Sequence, residues 1–231
     1  EQQKKTLQAE QEALKNTMET EYPDYYALRY PQPIALHELR NTVLQSGELL
    51  LVYNVMKEHT LLWVISSDPP LPLPGGEYSP LPEGDVLRMY TLPVGEKALQ
   101  DNVAKVREGM LYEWGTSRGL LVDEELPTYE YIPFTQASHD LYTLLIPEDL
   151  RSLLTDQYTL NIVPTGPLYA LPFEALITRP VSEGQTEHYL VEDIPISYLS
   201  SASLLKSLRD AKARRTRTAS YPFLAFTDPV Y

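Results

Sequence analysis

Cysteine is absent from the 231 residues. That excludes a disulfide framework, a zinc site with thiolate ligands, and a cysteine nucleophile supplied by this chain. Basic residues are in deficit: 19 Lys and Arg stand against 32 Asp and Glu, a net charge of −13. A surface of that sign repels phosphate backbones, so nucleic acid is not an expected partner. Long apolar runs are missing too. None approaches the ~20 residues that a membrane-crossing helix needs. The opening EQQKKTLQAEQEALK also lacks the apolar stretch of a secretory leader. No membrane partner is expected, and the cytoplasm is the expected compartment. Glycine is scarce, 10 against 20 prolines, so proline does most of the punctuation. No segment recurs at a period of about 20–50 residues, which excludes a solenoid within the chain.

The usual catalytic constellations are missing as well. There is no phosphate-cradling Gly-x-x-x-x-Gly-Lys loop, no Gly-x-Gly-x-x-Gly and no Gly-x-Ser-x-Gly elbow. His37-Glu38-Leu39-Arg40-Asn41 begins like a zinc-binding helix, but Asn41 stands where the second histidine is needed. The four histidines, His37, His59, His139 and His188, share no ligand spacing and read as solvent-facing. Glu174, beside Phe173, reads as a salt-bridge or helix-start carboxylate. No metal and no cofactor is expected.

What is present is an ordinary globular balance, 43% hydrophobic and 22% charged, in a chain long enough for one large domain or two small ones. Residues 1–21 read as a polar helix with a narrow seam of Leu7, Leu14 and Met18. Residues 22–33, with three prolines and four tyrosines, read as a connector. Leu36, Leu39 and Val43 mark a short helix closed by Gly47. The runs 49–56 and 61–66 are apolar on both alternating faces and joined by KEHT, which predicts a hairpin at the centre of a sheet. Residues 69–82 carry six prolines and read as a loop. A strand follows over 86–94.

Leu99, Val103, Val106 and Met110 predict a helix over 96–114, closed by Gly115 and Gly119, with irregular chain over 115–136. A helical pattern over 137–155 contains Pro147 and should break there. Residues 159–164 predict a strand, 165–167 a turn, and 171–177 a short helix with Pro172 in its first turn. Residues 196–199 predict a strand, and Ser200, Ser201 and Ser203 offer a cap for a helix over 202–213. A last strand is predicted over 222–226. Residues 206–217 hold six basic residues and one acid, +5, leaving −18 for the rest of the −13 chain. With Leu204, Leu205 and Leu208 as its seam, this run reads as the wet face of a helix entering an exposed linker over 212–220. Alternating strands and helices predict an α/β sheet, mixed because of the hairpin. Residues alone thus give a soluble α/β domain with no active site of its own.

The stretch Leu160-Asn161-Ile162-Val163-Pro164-Thr165-Gly166-Pro167-Leu168-Tyr169-Ala170-Leu171-Pro172-Phe173-Glu174-Ala175-Leu176 resembles the strand–turn–helix signature of CHAT domains. These are caspase-like peptidase domains found after tetratricopeptide repeats. Tyr189–Asp193, Ile196–Leu199 with Ser201 and Ser203, and Phe223–Tyr231 with Asp228-Pro229 resemble further blocks in the same order. Residues 47–65 resemble the opening hairpin. The chain departs from the family pattern at Thr165, Tyr169 and Thr227, where the family often has Asp, His and Gly.

The resemblance implies a caspase-like α/β sheet flanked by helices. It implies a helix and connector over 1–33 leading in from an upstream, possibly tetratricopeptide, region. Residues 34–220 would form the N-terminal, non-catalytic half, and 221–231 the first strand of the catalytic half. Gly166, Pro167, Leu168, Pro172, Phe173, Ser201, Ser203, Asp228 and Pro229 are the structural motif positions, and none of them is catalytic. The family's catalytic His and Cys would lie downstream of Tyr231. The implied partners are that catalytic half and the repeat region. Two functions are compatible with these residues: a supporting, signal-relaying half of a cysteine peptidase, or a stand-alone interaction module with a caspase-like fold.

Overall fold

The computed structural model describes residues 2–30, 32–67, 77–80, 86–117, 133–179 and 186–214. The chain divides into two compact units, one of residues 34–202 and one of residues 1–33 with 203–231.

The larger unit is built on a six-stranded mixed sheet. Its strands are β1 (Glu48–Val55), β2 (Thr60–Ser66), β3 (Glu77–Pro80), β4 (Val86–Leu92), β5 (Thr159–Val163) and β6 (Ile196–Tyr198), in spatial order β3-β4-β2-β1-β5-β6. The first four strands pair antiparallel, whereas β5 runs parallel to both β1 and β6. The hairpin β1–β2 is therefore central, as the doubly apolar runs predict. Leu49, Leu50 and Leu51 are all fully buried, which requires cover on both faces.

Alternate residues explain the two sides. Leu49, Leu51 and Tyr53 join Leu62, Val64, Leu160 and Ile162 in one continuous apolar cluster. Helices α4 (Glu96–Ser117) and α5 (Phe134–Leu145) close that cluster with Leu99, Val103, Val106, Leu141 and Leu145. Tyr53 sits inside it, and its hydroxyl donates to the Leu145 carbonyl at 3.2 Å, a carbonyl at the end of α5.

Two glycines set how closely the helices approach. Gly95 begins α4 against the β1–β2 turn, where an added Cβ would lie 2.1 Å from the Lys57 carbonyl oxygen. At Gly109 an added Cβ would lie 3.0 Å from Phe134 Cα, so α4 and α5 touch backbone to backbone there.

The chain breaks at Pro147 as predicted, giving α5 and a short α6 (Glu148–Arg151). Residues 36–43 form one short helix, α3 (Leu36–Glu38), running into a π turn over Leu39–Val43. Gly47 follows with a positive φ of 82°.

Four expectations are corrected. The connector 22–33 contains a helix, α2 (Pro23–Arg29), because Pro23 takes the first helical position, where its missing N–H costs nothing. The proline loop contains β3, ending on Pro80. A proline fits there because β3 lies at the sheet edge. Gly115 does not close α4, which runs on to Ser117, and Gly119 lies outside the described residues. Finally, 171–177 is not an α-helix: only Phe173–Ala175 forms a 3-10 turn, and Leu176 is already extended.

In the smaller unit, α1 (Gln2–Glu21) and α2 meet through Lys15, whose Nζ lies 5.2 Å from the Tyr30 ring centroid. Leu7 and Leu14 of the seam are exposed. The helix α8 (Ala202–Arg214) carries the buried Leu205. Residues 212–214 of the expected linker belong to α8, and 215–220 lie outside the described residues. The strand expected at 222–226 lies outside them too.

Candidate functional site

The motif positions converge where β5 ends. Val163 is buried, Thr165 is still extended, and Gly166 turns the chain with φ +54° into a 3-10 turn over Gly166–Ala170. That conformation is open to glycine and strained for residues with a Cβ. Crowding is not the reason, since an added Cβ would meet Val55 Cβ at an ordinary 3.6 Å. Thr165 fastens the turn to β1: its hydroxyl accepts the Val55 N–H at 3.0 Å and donates to the Tyr53 carbonyl at 3.0 Å. One side chain thus extends the β1–β5 ladder beyond the last paired residues, Val52 and Val163.

Pro167 enters the turn at its start, Leu168 is fully buried, and Tyr169 points outward, 63% exposed. After Pro172, Phe173 is buried with its ring 5.6 Å from Tyr53 and 6.3 Å from Tyr198. Tyr198 of β6 fixes this corner. Its hydroxyl accepts the Phe173 N–H at 2.8 Å and donates to Glu174 Oε2 at 2.5 Å. Burial, then the Glu174 carboxylate, pushes the Tyr198 hydroxyl well above the usual tyrosine range. Glu174, in the first turn of Phe173–Ala175, thus ties this corner to β6.

The next residues are held from α5. The Ser138 hydroxyl donates to the Ala175 carbonyl at 2.8 Å and accepts the Ile177 N–H at 3.0 Å. His139 Nδ1 donates to the Ile177 carbonyl at 3.0 Å. His139 is thus a half-buried positioning residue, not a solvent-facing one. His188 is also engaged, with Nε2 2.7 Å from Asp193 Oδ1. Nothing in the spacing of Ser138, His139 or Tyr198 marks them in the sequence, because their partners are backbone groups about 25 to 40 residues away.

The structure therefore brings Gly166, Pro167, Leu168, Pro172 and Phe173 into one corner. Ser201 directly precedes α8 and Ser203 lies in its first turn. Asp228 and Pro229 lie outside the described residues. Beside the corner runs an open groove of about 480 Å³. Arg107, Met110 and Leu111 of α4 line it opposite Tyr169, Pro172 and Tyr198. The Tyr198 hydroxyl on this groove is tied to Glu174. Among the described residues no cluster of three His, Asp or Glu could hold a metal ion. Among them, too, no helix is long and apolar enough to cross a membrane. The arrangement shapes and stiffens a strand end.

Comparison with known proteins bears on this corner. Residues 135–231 match the family model of the CHAT domain. No curated protein matches the chain. The matched span begins within α5, so β1–β4 and α4 precede it. The structure nonetheless sets Leu141, Leu160, Ile162 and Phe173 of the matched span in one core with Leu49, Leu51 and Leu99, and pairs β5 with β1.

Proposed function

Starting from that match, we propose that the chain is the supporting, non-catalytic part of a caspase-like cysteine peptidase domain. The observation that carries this reading is a CHAT-related stretch in a sequence without a single cysteine. A cysteine peptidase needs a thiolate and an imidazole held in fixed geometry. This chain would supply the rigid sheet against which another segment holds that pair. The β5 corner suits the role, because Thr165, Gly166, Tyr198, Ser138 and His139 leave its backbone little freedom. Helices α1 and α2 would receive the signal of an upstream helical-repeat region. A shift of that region would then gate the peptidase through packing at the boundary between the parts.

A second reading, a stand-alone interaction module, draws on the groove, where Leu111 and Tyr169 leave more than half of their surface to solvent. One experiment separates the two. The purified chain, given a broad peptide-substrate library, is expected to turn over nothing. Expressed with the coding sequence that follows Tyr231, it is expected to cleave peptides, and substitution of a cysteine in the added part should abolish cleavage. Absence of cleavage in the combined protein would favour the interaction module, and cleavage by the chain alone would overturn both.

A further inference from the structure

Between the 3-10 corner and β6 the chain makes an excursion whose base is closed by backbone pairing. Thr178 N–H donates to the His188 carbonyl at 2.9 Å, and Leu190 N–H donates to the Leu176 carbonyl at 2.8 Å. Immediately after this base comes a one-turn helix, α7 (Leu190–Asp193), and then β6. The start of α7 is capped by its own glutamate: Glu192 Oε1 accepts the Tyr189 N–H at 2.7 Å. The same carboxylate turns Oε2 toward His188 Nδ1 at 3.7 Å. On the other side of the ring, Nε2 meets Asp193 Oδ1 at 2.7 Å. One imidazole thus stands between two carboxylates of the helix it precedes.

The two sides of the ring differ in what they require. A neutral imidazole carries one proton. Placed on Nε2, it makes the short bond to Asp193, and Nδ1 then presents a lone pair to Glu192. A second proton gives Nδ1 an N–H, and the ring bridges both carboxylates at once. Among the described residues, the other groups around the site do not supply that second contact. Across the bridge stands Thr178, which is uncharged, while Arg179 and Glu187 flank it along the chain. From α5, Tyr142 feels Asp193 and Arg151, and burial raises its hydroxyl pKa more than either. The Arg151 guanidinium sits 5.3 Å from the Tyr142 ring centroid.

We propose that His188 is a proton-operated latch on the segment that enters β6, tightening the cap of α7 when its ring takes a second proton. The device is independent of any peptidase role, since it rests on His188, Glu192 and Asp193 alone.

The test is amide hydrogen exchange of residues 188–194 in the full chain at about pH 8 and about pH 5.5, corrected for intrinsic rates. Protection is expected to rise roughly two- to fivefold on acidification, the range of partly exposed ion pairs. The gain should shrink in 1 M salt, where the screening length falls to about 3 Å. His188→Gln is expected to flatten the response. Glu192→Gln should remove the gain while leaving the Asp193 contact in place. An equal gain in both variants, or protection that falls on acidification in the native chain, would overturn the proposal.

Discussion

Among the described glycines, Gly95 leaves the least room for a Cβ. A methyl group there would overlap the Lys57 carbonyl oxygen at 2.1 Å and crowd Glu58 Cα at 2.8 Å. Both are backbone atoms, so no side chain can swing aside. Gly95→Ala should therefore lift the start of α4 off the hairpin and cost about 3 kcal/mol, the upper end of overpacking effects. Urea unfolding followed by the far-ultraviolet signal measures this. Gly166 presents the opposite case, with space available and an unfavourable dihedral. Gly166→Val should lose about 1–3 kcal/mol through backbone strain. Gly166→Asn should lose clearly less, because asparagine tolerates the left-handed region. Equal losses in the two variants would show that crowding, not φ, governs the position.

Helix α5 works as a clamp as much as a packing element. Its Leu141 and Leu145 fill the core, while Ser138 and His139 on the same helix satisfy three backbone groups of Ala175 and Ile177. Ser138→Ala leaves the Ile177 N–H and the Ala175 carbonyl without that hydroxyl. It should cost about 1–3 kcal/mol, the usual range for a buried unsatisfied group. Ser138→Thr should retain most of that, and a loss below measurement in the alanine variant would show that water replaces the hydroxyl. This clamp also shows what the sequence conceals. Strands β1 and β2 are legible because unbroken apolar runs demand a central place in a sheet. The break at Pro147 is legible because proline removes a donor at any helix interior. Edge strand β3 is not, since a proline excludes the middle of a sheet but says nothing of its rim. Residues 171–177 carry helical spacing, yet tertiary bonds from Tyr198, Ser138 and His139 hold their backbone in turns and extended chain. Of the corner itself, Gly166 could be read in advance. Thr165 and Tyr198 could not, because a hydroxyl bonded to distant backbone leaves no local pattern.

At the scale of the whole molecule, tyrosine sets the alkaline limit. Burial pushes the hydroxyls of Tyr53, Tyr142, Tyr90 and Tyr198 upward, with Asp149 adding to the effect at Tyr90. In the unfolded chain these groups lose protons near pH ~10; in the folded chain they keep them longer. Above that pH the unfolded state binds fewer protons, so stability declines as pH rises, by about 1.4 kcal/mol per unit for a fully buried group such as Tyr53. The partly solvated Tyr90 and Tyr198 contribute less. Below that pH the contribution is constant. Denaturant titrations at successive alkaline pH values should show this decline, and Tyr53→Phe should make it shallower. A slope unchanged by that substitution would assign the limit to other groups. The pairing of β5 with β1 bears on synthesis as well as on the finished fold. Leu49 meets Leu160, and the Thr165 tie spans 110 residues. As the chain leaves the ribosome, β1 can acquire β2 at once, but its other rim must wait for more than a hundred further residues. At the usual ~5–20 residues per second, that wait lasts roughly 5–20 seconds. Through all of it, a strand apolar on both faces presents an open edge to its surroundings. The nascent chain is thus at its most adhesive before the CHAT-related half exists.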